Sequence, residues 1–150
     1  MGNSVALVVY SAIACRCIFV TISCTEAVAD LPTVEHPLIG GRLRRIAGCV
    51  VGALAIEYLE HFTVNVAFLS VSGFSESGVT AADIKEARLK AAIIERARRT
   101  ILAIDQTKVG ATHFAQVCPL EAIDALVIDE ASVLVQDLCQ ANGIQLIGAR

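Results

Sequence analysis

Apolar residues along this chain fall into short unbroken runs, separated by stretches in which they recur at helical spacing. SVALVVY at 4–10, IFVTI at 18–22, VEHPLIG at 34–40, VNVAFLSV at 64–71, TILAI at 100–104, ALVID at 125–129 and IQLIG at 144–148 have the length and β-branched content of buried strands. CTEAVADL at 24–31, GCVVGALAIEYLEHF at 48–62, a long run from about Thr80 to Arg99 and EASVLVQDLCQANG at 130–143 read as helices. Asp83 stands near the start of the long helix, where the dipole favours an anion, and Gly143 ends the last one. SGFSESGVTAAD at 72–83 reads as a polar loop and Asp105 to Pro119 as a connection. Strands alternate with helices nearly throughout, which predicts an α/β domain with an open, mostly parallel sheet flanked by helices.

Composition supports this picture. A chain of 150 residues, 55% apolar and without Trp, is about one ordinary domain with buried parallel strands. The net charge of −3 offers no field that would hold a polyanion. Half of the 12 Lys and Arg crowd into KEARLKAAIIERARR at 85–99, which reads as a solvated helix face with i,i+4 pairs. The six cysteines include one close pair, Cys15 and Cys17, without a second pair at ligand spacing, so free buried thiols in a reducing, cytoplasmic setting are expected. Arg16 interrupts the apolar first 24 residues, and two strands suit that run better than a signal or a membrane span. No metal, organic cofactor or membrane partner is implied.

In a parallel sheet the loops at the carboxyl ends of strands line the ligand crevice. Ser11, Gly40 and Gly41, Ser72 and Gly73, and Asp105 to Lys108 all fall at such ends. Two readings of the last group stay open: a ligand-binding acid and base, or a turn-capping Asp105 beside a solvated Lys108. Asp129 reads as a cap for the helix that follows it, and His61 and His113 as surface or interface residues.

LIGGRLRR at 38–45, VVGALAIEYLEHFTVNVAFLSVSGFSESGVT at 50–80, EARLK at 86–90, ILAIDQTKVG at 101–110 and IDALVIDE at 123–130 together resemble the effector-sensing domain of DeoR-type bacterial transcriptional regulators. The likeness covers about residues 18–149, with 1–17 divergent, and makes the whole chain a single sensing domain. It implies a fold similar to ribose-5-phosphate isomerase and the CoA-transferase-like proteins, and a phosphorylated sugar or related metabolite as ligand. By this resemblance Lys108 supplies a cation near the phosphate, Gly40 and Gly41 offer approachable backbone, Ser70, Ser72 and Gly73 border the sugar, and Glu86 and Lys90 form the pair at the site margin. Asp105 precedes that lysine in the DQTK motif, and Ser11, Thr21 and Ser23 occupy the family's hydroxyl positions after the first two strands.

The chain also departs from the family. It holds no segment of the size of the usual helix-turn-helix, so DNA is expected to be reached only indirectly, and the domain is expected to be shortened at its start. YSAIACRC stands where a glycine- and hydroxyl-rich phosphate loop is usual, Ile22 replaces an amide, Asn65 an acid and Ser70 a glycine. The resulting expectation is a non-catalytic, homo-oligomeric sensor domain that modulates transcription. Two alternatives stand beside it: a sugar-phosphate isomerase using Glu86 as base with Lys90 or Lys108 as stabiliser, or a ligand-free interaction and oligomerisation remnant of a regulator.

Overall fold

A computed structural model describes residues 39–148. The expected strands at 4–10 and 18–22, the helix at 24–31 and nearly all of the strand at 34–40 lie outside the described residues. The described part is α/β. Its main sheet joins β3 (Val64–Leu69), β6 (Ala97–Ile104), β8 (Ala125–Ile128) and β9 (Gln145–Gly148) in that order, all parallel. These are the apolar runs of the sequence, and their alternation buries Leu69, Leu102, Leu126 and Ile128 to 1% exposure or less. The amino ends are tied by Asp124, whose carboxylate accepts the Thr100 amide at 2.6 Å while its own amide donates to the Thr100 carbonyl.

A second sheet was not foreseen. β4 (Gly73–Ser75) and β5 (Gly78–Ala81) form a hairpin within the expected polar loop, and β7 (Ala115–Cys118), within the expected connection, adds to it antiparallel. Gly78 makes the tight corner possible: its φ is +109°, and a Cβ there would lie 2.7 Å from the Cys118 carbonyl oxygen. The hairpin buries Phe74 and Val79 completely, which explains why a segment with so many Ser and Gly residues forms strands.

The helices are shorter than their periodicity suggests. Cys49–Val51 is not helix but β2, paired antiparallel with β1 (Arg42–Arg44); Gly52, at φ +113°, breaks the chain before α1 (Ala53–Leu59). The long helix α2 covers Ile84–Arg96 and passes directly into β6, so Arg98 and Arg99 are strand residues. Pairing of Ala97 with Val64 and Arg99 with Val66 overrides their helix preference. Asp83 caps α2 as expected, accepting the Lys85 and Glu86 amides at 2.8 and 3.2 Å. The last helix, α3 (Val133–Asn142), ends at Gly143 in the left-handed conformation, also as expected.

Candidate functional site

The carboxyl edge of the parallel sheet gathers three turns. β3 leads through Ser70 and Ser72 into the hairpin, β6 ends at Asp105 and the 3-10 turn Gln106–Lys108, and β8 ends at Asp129. They are bonded to one another. The Gly110 amide donates to the Phe74 carbonyl at 2.8 Å, and Phe74 bridges Val109. A Cβ on Gly73 would lie 2.2 Å from the Ala111 carbonyl oxygen, so only glycine lets the two turns approach this closely. The Ser72 amide donates to the Thr80 carbonyl and its hydroxyl accepts the Ala82 amide, so Ser72 is used in holding the hairpin.

Asp105 caps its turn, accepting the Thr107 amide at 2.9 Å and the Thr107 hydroxyl. Asp129 is not the helix cap expected of it. Ser132 holds that position without a side-chain bond, while Asp129 Oδ1 accepts the amides of Gln106 at 3.1 Å and Glu130 at 2.9 Å. The reason is geometric: β6 and β8 are neighbours, so the carboxylate ending one meets the turn ending the other. Lys108 is half-buried and has no ion-pair partner among the described residues. Two further polar atoms at this edge, Gln106 Oε1 and Ser132 Oγ, are buried without a hydrogen-bond partner. Hydrogen-bonding capacity of that kind is costly to leave unsatisfied, and it marks where a polar ligand or water would be held.

Glu86 and Lys90 belong to a buried ionic cluster on α2. Glu86 is 7% exposed and Lys90 3%. Lys90 Nζ is 3.6 Å from Glu86 Oε2, Arg44 Nε is 2.7 Å from Glu86 Oε1, and Arg44 Nη1 donates to Asp83 Oδ2 at 2.7 Å. The Arg44 Nε–H is not aimed along its contact, so that pair is held by charge more than by a hydrogen bond. Desolvation pulls the Lys90 ammonium below the ordinary lysine value against the opposing pull of Glu86. Burial pushes the Asp83 carboxyl up, but the Glu86 and Lys85 amides and Arg44 outweigh it and hold the group low. Arg44 thereby latches the β1–β2 hairpin to the start of α2. Neither the role of Arg44 nor the partnership of Asp83 with it carries a local sequence signal.

The remaining expected residues divide. Gly40 is exposed, with open space where a side chain would stand, whereas a Cβ on Gly41 would lie 2.6 Å from Val50 Cγ1, so Gly41 serves the packing of its own hairpin. Ser70 is half-buried at the end of β3. Ser11, Thr21 and Ser23 lie outside the described residues. His61 and His113 are exposed, as expected of surface residues. Cys49, Cys118 and Cys139 are free and buried, and burial pushes the Cys49 and Cys118 thiols up to about 11. Among the described residues no group of three or more His, Cys, Asp or Glu side chains is placed to hold a metal ion. No described helix is long and apolar enough to cross a membrane.

Comparison with known proteins agrees with this architecture. The family model described as the DeoR C terminal sensor domain matches residues 6–130. The HTH-type transcriptional repressor GlcR of Bacillus subtilis is 31% identical over 91% of this chain and 54% of its own length. The Glycerol-3-phosphate regulon repressor of Escherichia coli is 30% identical over 73% of this chain and 44% of its own length. The HTH-type transcriptional regulator GlpR of Haloferax volcanii is 35% identical over 63% and 38%. The chain thus spans about half the length or less of these relatives. It belongs to the DeoR family, as a C-terminal sensor domain.

Proposed function

We propose that the chain senses a phosphorylated sugar or a related metabolite without transforming it, and that occupancy is relayed to transcription. The observation that carries this reading is the carboxyl-edge group: Lys108 without an ion-pair partner among the described residues, together with the unsatisfied Gln106 Oε1 and Ser132 Oγ. A lysine supplies a phosphate dianion with charge-assisted donors, and the two oxygens accept from ligand hydroxyls. The name of the Escherichia coli relative, a glycerol-3-phosphate regulon repressor, supports a phosphorylated small molecule as the class of ligand. The whole chain acts as a single sensing domain, and DNA is reached through a helix-turn-helix of the kind the relatives' names declare. The isomerase reading draws little support from the geometry, because Glu86 is buried and held by Arg44 and Lys90 rather than free to remove a proton.

The test is calorimetric titration with a panel of sugar phosphates, the unphosphorylated sugars beside them. One phosphorylated member should bind, and Lys108→Ala should weaken it at least about tenfold by removing a charge-assisted contact. Equal affinity in the variant would remove the site assignment.

A further inference from the structure

Two residues past Lys108 the chain reaches Gly110 and turns under the β4–β5 hairpin, where a separate cleft of about 330 Å³ opens. It is lined by the hydroxyl-bearing Ser75, Ser77 and Thr112 with Glu76, and by Leu134 and Leu138 of α3. We propose that this cleft is a subsite for a neutral polyhydroxylated group, the sugar or polyol part of an effector, and that it rejects the phosphate end. The proposal rests on the reading of the neighbouring Lys108 turn as a sugar-phosphate site, and deepens it by giving the ligand a direction.

The donor count carries the argument. The three hydroxyls contact one another at 2.8, 3.1 and 3.4 Å, a closed ring with Ser75 at one corner, itself only 8% exposed. A hydroxyl has one donor and two acceptor lone pairs. Either oxygen of each contact can be the donor, so the spacing allows a ring in which each hydroxyl donates to the next, and that ring leaves one acceptor on each oxygen. The Gly110 amide is engaged by the Phe74 carbonyl, the turn is braced by Gln116 Nε2 donating to the Ser77 carbonyl at 2.9 Å, and among the described residues no cationic side chain lines the cleft. In that arrangement the hydroxyls present acceptors, and the Glu76 carboxylate gives the polar lining negative charge. A phosphate brings only acceptors and its own charge and is repelled; a polyol brings hydroxyl donors. Leu134 and Leu138 line the same cleft and suit the C–H side of a sugar. The volume lies near the lower end of small-molecule pockets, roughly 300 to 1,000 Å³, which fits a single sugar unit.

The experiment is an amide-resolved NMR titration of the full chain with unphosphorylated hexoses and hexitols, with and without saturating inorganic phosphate. At least one polyol should saturably shift the amides of Ser77, Gly110 and Thr112, and phosphate should not compete. Thr112→Val and Ser77→Ala, both at exposed positions, should weaken it about tenfold. Absence of these shifts, competition by phosphate, or indifference to both hydroxyl variants overturns the proposal. Polyol binding in the cleft with no phosphate or sugar-phosphate binding would instead overturn the Lys108 assignment and leave the cleft standing.

Discussion

Glu86 with Lys90 and Asp105 with Lys108 are near copies as sequence, an acid followed by a lysine four or three residues on. The fold gives them opposite surroundings. The first pair sits inside, on the core-facing side of α2, with both charges engaged and Arg44 reaching in from another element. The second sits where a strand ends at the sheet edge, its acid capping a turn and its lysine left without an ion-pair partner among the described residues. A buried charge must be paired to be tolerated at all, so pairing there reports on folding. A half-buried cation with no described ion-pair partner, on an edge that also carries unsatisfied acceptors, is what a site for an anionic ligand would require.

The largest effect expected from this contrast is on stability. Glu86→Gln removes the carboxylate that serves both Arg44 and Lys90, leaving a buried ammonium unpaired, and should cost about 3 kcal/mol in urea unfolding at neutral pH. A loss below about 1 kcal/mol would show that the cluster is solvated and the contrast false. A smaller effect follows from Asp83. Its carboxyl is held below its unfolded value, so its contribution is present above the ordinary carboxylate range and lost as pH falls through the folded value. Asp83→Ala should lower stability by about 1 kcal/mol at neutral pH and flatten the acid limb of the stability profile. An unchanged limb would mean that the acid sensitivity of the fold arises elsewhere.

How much of this could be read from sequence varies with the range of the interaction. VNVAFL, TILAI and ALVI are legible because strands buried on both faces are continuous apolar runs. The β4–β5 hairpin is not, since Gly73–Ser75 and Gly78–Ala81 become strands only by pairing with each other and with Ala115–Cys118 far along the chain. Cys49–Val51 was hidden by helical spacing, with Gly52 the one local sign of the break. At the candidate site, Asp105 and Lys108 were visible because they follow a strand. Gln106 and Ser132 were not, because an unsatisfied oxygen is a property of packing. The engagement of Glu86 by Arg44 was equally out of reach, because Arg44 lies 39 residues before its other partner, Asp83.

The smallest effect on stability, and the sharpest comparison, comes from making one substitution in both places. Lys90→Met replaces a desolvated ammonium, only partly offset by a contact at 3.6 Å, with a side chain of similar length that suits the core. Glu86 keeps Arg44 as its partner, so the change should be neutral or stabilising by about 1 kcal/mol. Lys108→Met removes no ion pair among the described residues and little packing, and should leave stability within about 0.5 kcal/mol. Thermal melts of the two variants should therefore look much alike, while ligand titration separates them: affinity for a sugar phosphate should persist in Lys90→Met and fall in Lys108→Met. If affinity falls in Lys90→Met with the melt unchanged, the buried pair also serves the ligand, and the division between the two regions is wrong.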